Sequence, residues 1–388
     1  NLGGGVGPLV GVESIRFSMN MPMNSPALEL YPEVFLADEP QNSLLQEGYV
    51  VDRFGQWMFD TWNDKVKTVD ELLNAYAKED KELQEQFPSS QSKYGGFKAH
   101  REAATGFFYT KKIADKWWFV DPEGHLFLST GACCIWKSNP TPSTGREFIF
   151  EDMPDTVDGY TDYYNRNLKR RYEADKEKGW RHNTQKRMRT WGLNTVGNWS
   201  DPLMQQKDMP FVLTLQGLDL HRFTMGLADV YDPHYRKAVT KAIENLANQY
   251  KDNPWLLGYF IGNEQPWPGQ EVLLCDRLLE GEELPIKKAL MSYLKQRGDS
   301  PENKRQFVYD TFEQFLALVN ETLKAADANH LNLGMRFGAE ITDELLSVVG
   351  KHVDVFSFNC YQIEPNRTFI ERIYQITGLP SMIGEFHF

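Results

Sequence analysis

The stretch 255–267, WLLGYFIGNEQPW, constrains the fold more than any other. An apolar run from 255 to 261 ends in Gly262-Asn263-Glu264 and then in Gln265-Pro266-Trp267. A continuous apolar segment bounded by Gly and Pro reads as a strand buried on both faces, as strands of parallel sheets are. Its polar end delivers an amide and a carboxylate at the C-terminal tip, where (β/α)₈ barrels carry their reactive groups. The pattern occurs again: Pro380-Ser381-Met382-Ile383 runs into Gly384-Glu385-Phe386-His387. A lone Glu after a core strand is ordinarily a solvated loop residue. Two of them, far apart in the chain, suit a carboxylate pair flanking a bond to be cleaved.

Strand-like runs recur at 126–130, 194–198, 211–215, 256–261, 333–338, 353–359 and 381–384. Helical signals fall between most of them. Asp232 caps a segment with Pro233 in its first turn, and Ala238, Val239, Ala242, Ile243, Leu246 and Ala247 follow at steps of three and four. Phe312, Phe315, Leu316, Val319 and Leu323 repeat that spacing. The alternation predicts an α/β fold, a (β/α)₈ TIM barrel over 106–388 with seven strands recognisable and an eighth apparently missing. A doubly wound sheet is the rival, but Gly192 to Gly197 supplies no Gly-rich phosphate loop. Ahead of the barrel, 51–105 reads as a helical linker packed on it. There Thr68-Val69-Asp70-Glu71 is a capping box. Residues 1–50, with short alternating runs, read as the tail of a β-sandwich module of carbohydrate-binding type.

With 41% hydrophobic and 25% charged residues, the chain has an ordinary globular composition and a sizeable core. The net charge of −12 and the lack of any basic stripe argue against nucleic acid and anionic membrane as partners. No run is long and apolar enough for a membrane span, and no signal peptide is evident. Four Cys without metal-ligand spacing make neither a disulfide scaffold nor a metal site. The ten Trp are numerous, and exposed aromatic rings are natural platforms for the C–H faces of sugars.

Glycosidic cleavage needs an acid on the leaving oxygen and, opposite it, a nucleophile or an activated water. An ionised Glu385 would keep Glu264 protonated until the first step is over, assigning Glu385 as nucleophile and Glu264 as acid and then base. Asn263 is placed to bind a sugar hydroxyl, although Asn is also common in turns. Tyr361, closing the run from Phe356 to Cys360, can orient Glu385. Asn198 and Trp199 after the second strand, Arg336 on the fifth, Trp267 as a platform and His387 complete the expected binding set. Asp219, His221 and Glu340 sit at strand ends too, where a rim salt bridge is the commoner role.

These residues resemble the clan A glycoside hydrolases, and most closely the family 50 β-agarases. Gly262–Glu264 and Gly384–Phe388 carry the likeness, with DRFGQ from Asp52, KVKTVDEL from Lys65, WWFVDPEGHLFLSTG from Trp117 and WGLNTVGNWSD from Trp191. The resemblance implies a barrel, a retaining mechanism with no metal or other cofactor, and a secreted or periplasmic protein. It also implies cleavage of a β-1,4 galactose linkage in agarose or its oligosaccharides. Two other readings stay open: a clan A β-glycosidase for a different glycan, such as a β-galactosidase, and a carbohydrate-binding barrel without turnover.

Overall fold

A computed structural model describes residues 48–387, and 49 onward belong to one compact unit. The expected accessory module at 1–50 therefore lies outside the described residues, apart from its last three positions. The unit opens with α1 (Val69–Glu82), which starts as the capping box requires: Thr68 accepts from the Glu71 amide at 3.1 Å, and Glu71 reaches back to the Thr68 amide. Four antiparallel strands follow: β1 (Phe97–Arg101), β2 (Tyr109–Ile113), β3 (Lys116–Val120) and β4 (His125–Phe127), in the order β1-β4-β3-β2. This sheet runs across the expected boundary at 105/106, because β1 pairs with β4.

Parallel strands come next. They are β5 (Gly131–Ala132), β8 (Thr195–Val196), β9 (Phe211–Thr214), β10 (Leu256–Phe260) and β11 (Leu331–Asn332), hydrogen-bonded in chain order. A short hairpin, β6 (Thr141–Pro142) with β7 (Tyr160–Thr161), interrupts the connection after β5. The last parallel pair is β12 (Phe356–Cys360) and β13 (Ser381–Phe386), joined to the others by a parallel bridge between Phe337 and Phe358. The order never reverses, as it would in a doubly wound sheet. Helices fill the connections: α2 (Tyr163–Tyr172), α3 (Lys176–Thr190), α4 (Pro233–Tyr250), α5 (Glu271–Glu280), α6 (Pro285–Arg297), α7 (Pro301–Ala326), α8 (Asp343–Gly350) and α9 (Arg367–Thr377). Asp232 caps α4 through the His234 amide at 2.8 Å, as its sequence signal requires.

The two faces of the strands divide the core into two parts, with an irregularity between Leu256 and Gly258 resetting the alternation on β10. Phe211, Leu213, Leu256 and Tyr259 face the helices, where Phe312, Phe315, Leu316 and Val319 of α7 are buried against them. Each such side chain, fully buried, contributes about 1.5–3 kcal/mol. Val212, Leu257, Leu331, Leu333 and Val355 form a second cluster with Tyr94, Phe108 and Phe127. The antiparallel sheet and the loop before it thus cover the entry ends of the parallel strands: Tyr94 packs on Trp255 at 4.4 Å and Phe107 on His330 at 5.2 Å. This corrects the expectation that 126–130 is the first parallel strand. His125, Leu126 and Phe127 are buried on both faces because they lie in that cap, and the parallel series begins at Gly131. A Cβ at Gly131 would meet the Thr195 carbonyl oxygen at 2.2 Å, so close pairing there requires glycine.

Beneath β10 and β11, the wholly buried His330 ring has Asp327 Oδ2 at 2.7 Å from Nδ1 and the Asn253 carbonyl oxygen at 2.9 Å from Nε2. Each ring nitrogen thus faces an oxygen that can accept a hydrogen bond. Tyr259 donates to the same carboxylate at 2.8 Å. Burial alone would push the Asp327 carboxyl up, but the hydrogen bond and charge of His330, with the Tyr259 hydroxyl, hold it below the ordinary carboxylate range. A carboxyl depressed on folding contributes stability at neutral pH that is lost as pH falls through its folded value. Asp327→Asn is therefore expected to lower the unfolding free energy by about 3–5 kcal/mol at neutral pH. In urea titrations its deficit should shrink below about pH 4, where the parent begins to lose the same contribution.

Candidate active site

The exit ends of the parallel strands lie opposite the cap and frame a cleft of about 670 Å³, lined by Trp199, Gln216, Asp219, His221, Asn263, Glu264 and Gln265 among others. Backbone strain collects at its rim. Trp199 (φ 62°), Asp219 (48°), Glu264 (47°) and Arg336 (50°) are all left-handed, a conformation that costs non-glycine residues on the order of 1–3 kcal/mol each. Each follows a parallel strand, and Trp199, Asp219 and Glu264 line the cleft.

Glu385 lies on β13, one residue past a bulge. Phe358 pairs with Ile383, but Asn359 pairs with Glu385, so Gly384 is the extra residue. The glycine is required: a Cβ there would meet Arg336 Cδ at 2.3 Å and Cγ at 2.6 Å. Over it the Arg336 guanidinium reaches Glu385, Nη1 donating to Oε1 at 2.9 Å. Trp199 Nε1 donates to the same oxygen at 2.8 Å, and the Tyr361 hydroxyl donates to Oε2. A carboxyl group that accepts from three donors is held in one orientation. Tyr361 also interacts with Glu264, and burial, then Glu385, push its phenol upward, so it stays a donor throughout the usual pH range.

Glu264 is the more open of the two acids, solvent-exposed and seated over Gly338. Its backbone amide donates to the Arg336 carbonyl at 3.1 Å, and Asn359 Nδ2 donates to its Oε1 at 2.8 Å. The same Nδ2 also donates to Asn263 Oδ1 at 3.1 Å.

The structure thus brings Glu264, Glu385, Asn263, Tyr361, Trp199 and Arg336 together, with His387 against the Tyr361 ring at 4.6 Å. Three of the expected binding residues need correction. Trp267 is 0% exposed, packed on Phe312 at 5.0 Å and Tyr309 at 6.4 Å, so it is a core residue and no sugar platform. Arg336 is also 0% exposed and holds Glu385 instead of facing the cleft. Asn198 is equally buried; with its oxygen toward Arg336 it accepts from Nη1 at 2.7 Å and Nη2 at 2.8 Å. Asp219 and His221 line the cleft, Asp219 with Arg222 at 3.4 Å. Glu340 is engaged by Asn366 and Arg372, at the start of and within α9. Asn359 was absent from the expected set. Its signal was there: Ser357, Asn359 and Tyr361 are polar residues at period two in an otherwise apolar strand. Among the described residues no group of three or more His, Cys, Asp or Glu is arranged to hold a metal ion.

The correction for Trp267 is testable by urea unfolding. Trp267→Ala should cost about 3–5 kcal/mol, as for other buried aromatics. Trp199→Ala, at a residue that is 44% exposed, should cost clearly less.

No family model matches the chain. Beta-agarase B of Vibrio sp. (strain JT0107) is 26% identical, over 87% of this chain and 45% of the relative. Beta-agarase A of the same strain is 27% identical, over 87% of this chain and 43% of the relative. The crystal structure of an agarase matches with a TM-score of 0.76 and 28% identity, covering 88% of this chain and 59% of that one. The chain spans less than half the length of these curated relatives, yet over nearly nine-tenths of its own length it is similar to proteins named as agarases.

Proposed function

We propose that this chain carries the catalytic centre of a retaining glycoside hydrolase of the family 50 β-agarase type, acting on β-linked galactose in agarose or its oligosaccharides. The substrate class is taken from the named relatives. The parallel strands in unbroken chain order, with helices between them, support reading the fold as a (β/α)₈ barrel. The likeness to the family 50 β-agarases supports reading the protein as secreted or periplasmic.

The observation that carries the mechanism is the unequal environment of the two carboxyls: Glu385 accepts from Arg336, Trp199 and Tyr361, whereas Glu264 is solvent-exposed with Asn359 on its Oε1. Glu385, fixed by Arg336, Trp199 and Tyr361, attacks the anomeric carbon. The C–O bond to the leaving sugar breaks as Glu264 gives its proton to that oxygen. A covalent glycosyl-Glu385 remains, and Glu264 is now an anion. Glu264 then takes a proton from water, the water oxygen bonds to the anomeric carbon, and Glu385 leaves as a carboxylate. The sum is one water consumed per bond cleaved, with retained configuration. Asn263 is placed to hold a hydroxyl of the reacting sugar, and the exposed face of the Trp199 ring, with Tyr361 and His387, to flank it.

Glu385→Gly should lower turnover of a nitrophenyl β-galactoside by several orders of magnitude, and azide or formate should restore it with inverted configuration. Near-parental turnover by that variant would remove Glu385 from the mechanism. Tyr361→Phe removes one hydrogen bond to a charged group, and kcat/KM should fall about 10–100-fold. Thin-layer or mass analysis of products from agaro-oligosaccharides beside other β-glycans tests the sugar.

A further inference from the structure

Asn359 sits at the centre of the strand ends with no role in the chemistry so far. It is 7% exposed and stands in register opposite Glu385 on the neighbouring strand, yet both contacts of its Nδ2 lie on the far side, at Glu264 and Asn263. Its Oδ1 is buried and has no partner among the described residues. The amide is turned so that its donors meet the turn carrying Glu264.

That turn needs holding. Glu264 is solvent-exposed and sits at φ 47°, and Asn359 Nδ2 donates to its carboxylate at 2.8 Å. Glu385, by contrast, has three donors of its own. The geometry points to Asn359 as the positioning residue for the acid/base: it holds the Glu264 carboxyl over the leaving oxygen and, through Asn263, ties the sugar-binding amide to the same point. This rests on the reading of Glu264 as proton donor and then acceptor. A residue that acts through Glu264 matters where protonation matters. It does little for a leaving group that departs without help.

The test compares two substrates in two variants. Asn359→Ala removes the donor; Asn359→Asp keeps the shape but turns an anion toward Glu264, and thermal melts establish that each variant folds. For an agaro-oligosaccharide, whose sugar leaving group needs a proton, kcat/KM should fall about 10–100-fold in both, the worth of one hydrogen bond to a charged group. For a nitrophenyl β-galactoside the same variants should lose far less in the first step. Added azide should speed its turnover and give a glycosyl azide of retained configuration. Equal losses on both substrates without azide acceleration, or no loss on either, would overturn the assignment. Glu264→Ala is the control. If it shows no dependence on the leaving group, the acid/base reading itself fails, whatever Asn359 does.

Discussion

A guanidinium buried beneath a carboxylate organises this molecule's cleft. Arg336 has no exposed surface, and its charge is answered by Glu385, by the oxygen of Asn198, and by the faces of Trp199 and Phe260, each 4.9 Å away. An uncompensated charge there would cost several kcal/mol, so each partner's position is coupled to the others. The pair dictates glycine at 384, because the arginine stem crosses that residue. It also places the bulge that sets Glu385 opposite Asn359. The group assigned to nucleophilic attack is thereby held from below by charge and from the sides by an indole and a phenol.

The two acids are served differently, and the difference follows from where they stand. Glu385 is anchored within a ladder of parallel strands. Glu264 belongs to a turn beyond β10, tied by its own amide to the Arg336 carbonyl and by its side chain to Asn359. A group that must release a proton and later reclaim one from water benefits from access to solvent. One that must form and break a bond to carbon benefits from rigidity. Arg336 touches both arrangements, one through its side chain and the other through its main chain.

Much of this was legible in the residues. The run before Glu264 and the one before Glu385 announced buried strands because parallel strands between layers lack alternation, and the caps of α1 and α4 are chemically explicit. The misreadings share one physical cause. Burial on both faces says that a segment is covered, not by what: 126–130 is covered by a capping sheet, and 331–337 keeps only two regular positions before Gly334 turns left-handed. Trp267 follows a proline just past a reactive tip, and nothing local says that it folds back against α7. Arg336 and Asn198 read as cleft residues because strand ends usually are. That they support from within is a matter of depth, which no one-dimensional pattern carries. Asn359 was legible and overlooked.

The left-handed residues at the strand ends bear on how this protein would respond to directed evolution. Trp199, Glu264 and Arg336 occupy backbone geometry that glycine or asparagine would adopt with less strain. At the exposed Glu264, variants screened only for heat resistance would drift toward those small residues and shed a group around which the cleft is assembled, whereas Arg336 is kept by the charge it answers. Screens for ruggedness should therefore hold Glu264 fixed and look for gains among the outer helices, where robustness and chemistry do not compete.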